Sequence, residues 1–252
     1  NTNNNFIIPV LIASIIPIIN FLLVFFYLPE TKPNSEINKS KTALKNPLKA
    51  LFTVFKEEKI KKLSLAFFIY FIAFTGLTNI LIFFLQESLN WTTKASSGTL
   101  VVVGIIAIIV QGGLIGPLVK QFGEMRLTLI GSGFILVACA LLITAPKENA
   151  TINIYSAVSF LAVGAGLITP TLRALISKKL DIDKQGSILS NLQGLQSLGG
   201  VLGIAMAGRV YDSFGPKSPF IAGSVILLFM IYLIAEGKSN NSFNNQKSKV
   251  LK

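Results

Sequence analysis

Seven apolar stretches of close to 20 residues, each bounded by charged or polar turns, dictate what this chain can fold into. They run Phe6 to Leu28, Leu63 to Leu85, Ser96 to Val119, Leu127 to Ala145, Ile154 to Ser177, Gly186 to Arg209 and Ser218 to Ala235. A helix of that length crosses a hydrocarbon core of about 30 Å. The apolarity is continuous rather than alternating. That excludes a transmembrane barrel and leaves helices, which satisfy every backbone donor and acceptor within the segment. Composition agrees, with 52% hydrophobic and 13% charged residues, where a soluble domain carries about 25% charged. The expected fold class is an all-α membrane protein with seven transmembrane helices.

The net charge of +12 would suit a nucleic-acid partner, but the positions of the basic residues argue against one. Of 23 Lys and Arg residues, 18 fall on one side of the alternating spans: in 29–62, in Lys120 to Arg126, in Lys178 to Gln185 and after Ala235. Four lie on the other side and Arg173 lies within a span. Positive charge is retained in the cytoplasm, so the C-terminus is expected inside and Asn1 outside. The bias, with attraction to anionic lipid of the bilayer, explains the basic character without nucleic acid. The chain has no His, so imidazole catalysis and His-metal sites are excluded. The single Cys139 reads as a small apolar filler. No enzyme constellation, cofactor motif or metal site is expected. Because the chain begins at Asn1, with only five polar residues before an odd number of spans, at least one preceding span is expected.

An internal repeat is visible. Gly116-Pro117-Leu118-Val119-Lys120-Gln121-Phe122-Gly123 and Gly208-Arg209-Val210-Tyr211-Asp212-Ser213-Phe214-Gly215 share G-x5-F-G at an offset of 92 residues. The same offset carries Gly131-Ser132 onto Gly223-Ser224, Leu63 onto Tyr155 and Leu127 onto Pro219. It predicts two three-helix units, Leu63 to Ala145 and Ile154 to Ala235. One starts inside and the other outside, the inverted arrangement of secondary transporters, whose binding site lies at the repeat interface.

These residues resemble the C-terminal half of a major facilitator superfamily transporter, nearest to the drug:proton antiporters that include tetracycline efflux pumps. Leu28-Pro29-Glu30-Thr31 is similar to the end of that family's sixth helix, and the basic segment 29–62 to its central cytoplasmic loop. Gly116 to Arg126 resembles the second copy of the G-x3-D-R-x-G-R-K loop motif, keeping Gly116, Gly123 and Arg126 and departing at Lys120. Thr169-Pro170 and Gln185-Gly186 through Tyr211-Asp212 resemble the tenth and eleventh helices, with Gly203-Ile204 where a Gly-Pro pair is common. The resemblance implies 1–28 as the last helix of an N-terminal half, 29–62 as a cytoplasmic loop with an amphipathic helix, 63–235 as a six-helix bundle of two inverted repeats and 236–252 as a cytoplasmic tail.

The resemblance also implies alternating access, with proton-coupled export of a drug-like or small metabolite substrate. A sugar or organic-anion symporter or uniporter of the same fold is the alternative, and a non-transporting receptor or scaffold a reading from another class. Proton-coupled relatives need a carboxylate in the membrane, and no span here carries Asp or Glu away from its ends. That group, for a proton or other coupling ion, is expected from the missing N-terminal half of the same chain.

Candidate site residues are the polar groups inside spans, which are costly to bury. Asn79 and Gln111 belong to helices that line the cavity in the resembled family, and each either lines the site or bonds a neighbouring helix. Gly186, Ser190, Gln193, Ser197 and Gly200 form one stripe at helical spacing. Gln193 and Ser197 either face a water-filled cavity or pack between helices, while Gly199 and Gly203 read as packing. Phe67, Tyr70, Phe71 and Phe74 share a face that could stack on a flat substrate, or meet lipid or a helix. Arg173 is either a snorkelling anchor and gate contact with Asp181 or Asp183, or a cavity cation meeting an anionic substrate. Gly116, Lys120, Gly123 and Arg126 are, with Arg173, the gating candidates. Leu44, Leu48, Leu51, Phe52 and Phe55, with lysines between them, predict a helix on the membrane surface.

Overall fold

A computed structural model describes residues 7–27, 51–146 and 150–250, without the side chains of 7–9, 12, 183 and 237–250. The chain divides into two compact units, Asn1–Lys45 and Asn46–Lys252. In the first, helix α1 spans Ile7–Tyr27, about 30 Å at 1.5 Å per residue.

In the second unit every regular element among the described residues is a helix. A short 3-10 turn, Phe52–Phe55, leads to α2, Lys61–Phe83, which ends in a π turn, Phe84–Ser88. Helix α3, Thr93–Ile109, passes through a second π turn, Val110–Leu114, into α4, Ile115–Phe122. Then come α5, Glu124–Ile143; α6, Thr151–Ser177; α7, Ile182–Phe214; and α8, Ser218–Val250. The expected surface helix lies largely outside the described residues, and its described end is the 3-10 turn, with Val54 buried.

Five of these segments are long and apolar enough to cross a membrane: Lys61–Ser88, Thr93–Phe122, Glu124–Ile143, Thr151–Ser177 and Ser218–Glu236. The sixth expected stretch is a 33-residue helix, α7, but its polar stripe leaves it below that threshold of apolarity. Local signals set the boundaries. The Thr92 hydroxyl caps α3 by accepting from the Ala95 N–H at 3.3 Å. Gly123 (φ 75°) and Gly215 (φ 90°) end α4 and α7 in the left-handed region, where glycine carries no Cβ penalty. Their amides donate to the Val119 and Tyr211 carbonyls, each at 2.9 Å. These two glycines are 92 residues apart, the offset of the repeat.

Packing follows the small residues. Helices α5 and α6 run antiparallel, joined by Thr128 and Thr171 at 2.8 Å, and a Cβ on Gly131 would stand 2.9 Å from the Gly164 carbonyl. Helices α2 and α7 run parallel, with Gly76, Gly199 and Gly203 at the seam; a Cβ on Gly203 would collide with the Ile72 carbonyl. Gly199 and Gly203 thus pack as expected. The neighbour pattern repeats under the 92-residue offset, since α5 lies against α6 as α8 lies against α2, and α2 against α7 as α6 against α3.

At one end of the bundle Lys62 pairs with Glu236 at 2.6 Å, Lys178 with Glu124, and Lys184 with Glu57 at 3.5 Å. All three lysines are substantially exposed, so each pair contributes little stability. At the other end the Tyr211 hydroxyl donates to Glu87 at 2.9 Å. The basic residues near Lys62, Lys178 and Glu236 share one end, in line with the alternation read from the sequence.

Candidate functional site

One face of α6 carries Gly166, Thr169 and Arg173 at i, i+3 and i+7 spacing, and each meets a different helix. Gly166 lies against the π turn of α3, where a Cβ would stand 2.9 Å from Val110 Cγ1 and 3.8 Å from Gln111 Cγ. The Thr169 and Tyr70 hydroxyls hydrogen-bond at 3.3 Å. Tyr70 is fully buried and stacks on Phe74, ring centroids 5.5 Å apart.

Arg173 is half-buried and reaches α7. Its Nη2 donates to Gln193 Oε1 at 2.7 Å and to Gln196 Oε1 at 2.5 Å. Its Cζ lies 5.9 Å from the centre of the Phe67 ring, within range of a cation–π contact. Among the described residues Nε is buried without a hydrogen-bond partner. Among the described residues no carboxylate comes within ion-pair distance of the guanidinium.

The direction of Arg173 has a simple cause. Helical Cβ atoms tilt toward the helix N-terminus, which on α6 is the end away from Lys178. The side chain therefore rises into the bundle, meeting Gln193 about 16 Å from the start of α7. Asp181 is not its ion-pair partner, and the Asp183 side chain lies outside the described residues.

The stripe on α7 is exposed at Gly186, Ser190, Gln193 and Ser197, and the Ser197 hydroxyl donates to the Gln193 carbonyl at 3.2 Å. Gly200 continues the stripe onto α2, 3.6 Å from Thr75 Cγ2 by its Cβ position, and the exposed Asn79 donates to the Thr75 carbonyl at 2.9 Å. The structure thus links Arg173, Gln193, Ser197 and Asn79 in one tract. Gln111 is exposed in the α3 π turn beside Gly166. Phe67, Tyr70 and Phe71 are buried in the core and Phe74 is half-buried, so the first three pack between helices.

The loop-motif residues sit together where α4 meets α5. Gly116, Lys120 and Arg126 are exposed, and Gly123 is the positive-φ cap. Gln196 was not legible as a site residue, because it falls beside the counted stripe and owes its role to Arg173 on another helix. The apolar cavity between α2, α7 and α8, lined by Ile72, Gly76, Gly203, Ala207, Pro219 and Gly223, has room for about 40 Å³. That is too small for a substrate, and the apolar lining offers a water no partners.

Five apolar helical segments of spanning length, with a tract of polar side chains running across α2, α6 and α7, define an integral, multi-pass membrane protein. The chain belongs to the Major Facilitator Superfamily, whose family model matches residues 2–204. It is 24% identical to the class H tetracycline resistance protein of Pasteurella multocida, over 81% of this chain and 50% of that protein. It is 27% identical to the class D tetracycline resistance protein of Salmonella ordonez, over 81% of this chain and 50% of that one. A human relative, hippocampus abundant transcript-like protein 1, is 21% identical over 90% of this chain and 49% of its own length. The chain spans about half the length of these relatives. Family membership places it with transporters rather than enzymes.

Proposed function

We propose that this chain forms one half of a secondary active transporter that works by alternating access and exports a drug-like molecule or small metabolite in exchange for protons. The observation that carries this reading is the family match over most of the chain, joined to relatives named for tetracycline resistance. In this reading the exposed tract of Asn79, Gln193 and Ser197, with Gln111 on α3, lines the substrate cavity against a second six-helix half. Amides there offer both donors and acceptors without fixed charge. The matching neighbour pattern at 92 residues supports two inverted repeats within this half, which rocks as one unit against the second half about that cavity. Gly116, Lys120, Gly123 and Arg126 lie at the cytoplasmic mouth, and the C-terminus is cytoplasmic. The proton-carrying carboxylate belongs to the second half.

Sealed vesicles holding the complete protein test this reading. An imposed pH gradient, inside acidic, should drive tetracycline accumulation that collapses when the gradient is dissipated. Accumulation of the drug that ignores the gradient would refute proton exchange, and no pH-dependent movement of any of a panel of amphipathic drugs would refute the export reading.

A further inference from the structure

The chemistry of the Arg173 contact fixes more than the position of one cation. A guanidinium has five N–H donors and no acceptor, so both glutamines must turn their carbonyl oxygens toward Nη2. That orients each amide so that its NH2 group is the end left over. Neither the Gln193 nor the Gln196 Nε2 has a partner among the described residues, and Nη1 of Arg173 makes no described hydrogen bond either. Gln193 is exposed and Gln196 half-buried. The result is a cluster of unused donors around an undischarged positive charge, backed by the Phe67 ring and with no carboxylate at hand among the described residues. Such a cluster binds acceptors and repels cations. A water would meet part of the demand, but a planar oxyanion would neutralise the charge as well and accept from the guanidinium and amides together.

We propose that Arg173, Gln193 and Gln196 form a subsite for a carboxylate or similarly delocalised oxyanion carried by the transported molecule. The proposal rests on the transporter reading for the source of its ligand. It makes the substrate class anionic at one end, with Arg173 as the charge partner and Gln193 and Gln196 fixing the oxyanion in plane. An Arg173 engaged instead by a carboxylate of the second half would give the opposite behaviour in the experiment that follows.

The test reads binding without transport, so its failure and that of the transporter reading are separable. The complete protein, purified in detergent, is treated with phenylglyoxal, and modification is mapped by mass spectrometry at Arg126, Arg173 and Arg209, the three arginines of this chain. Benzoate should protect Arg173, while benzamide and chloride at equal ionic strength should not, and Arg126 and Arg209 should react equally in all three. Gln193→Glu, which supplies a carboxylate to the guanidinium from within, should raise the benzoate concentration for half-protection by roughly tenfold or more, the scale of a hydrogen bond to a charged group. Gln193→Asn should behave closer to the parent. Protection by benzamide as good as by benzoate, or an Arg173 that is unreactive regardless of benzoate, would overturn the proposal. Protection with no vesicle transport would leave the subsite standing and remove the transporter reading.

Discussion

Gln193 and Gly203 sit ten residues apart on α7 and make opposite demands. Gln193→Leu in the complete protein should impair transport at normal membrane abundance. Losing an intramembrane hydrogen bond costs only about 0.6 to 2 kcal/mol, too little to unfold a bundle. Gly203→Leu should lower the amount of folded protein, because its Cβ meets the Ile72 carbonyl and the backbone of α2 would have to move; overpacking alone costs about 1 to 3 kcal/mol. Transport assays normalised to membrane abundance separate the two. Normal transport by Gln193→Leu would move that residue to a packing role. Both glutamine stripe and glycine seam were legible in helical spacing. The course of Arg173 was not, since its nearness to Lys178 along the chain suggested snorkelling, whereas Cβ tilt and two amides on a separate helix turn it inward.

Between elements, the contact of α3 with α6 joins two interruptions of the helical hydrogen-bond ladder. Pro170 lacks the amide that would bond the Gly166 carbonyl one turn back, and the π turn Val110–Leu114 faces that same turn. Helices bend at such places. Gly166→Val should press on Val110, now 2.9 Å from the missing Cβ, and slow substrate exchange or reduce folding, measured by turnover and by thermal stability in detergent. Unchanged turnover and stability would show that this contact is not tight. The π turn was not legible in the sequence, where Val110–Leu114 reads as part of one continuous apolar span. The lysine positions lead to an expected sidedness that labelling can check. In a Cys139→Ala background, Ser239→Cys should be shielded from impermeant thiol reagents in intact cells and Thr93→Cys labelled; the reverse pattern would invert the topology.

At the scale of the whole molecule, apolar run length marked each helix of the bundle and the 92-residue offset marked the two glycine caps, because both follow from chain-local physics. The apolar signal is weakest at α7, where the polar stripe interrupts the run. The proposed cavity is completed by a second six-helix half, so the decisive measurement is on the complete protein in sealed proteoliposomes. An inside-acid gradient is imposed and uptake of tetracycline and its proton counterflow are followed together, for the parent and for Gln193→Leu. The account predicts gradient-driven uptake matched by proton exit, diminished in the variant at equal protein load. Folded, correctly inserted protein that moves neither drug nor protons would contradict it.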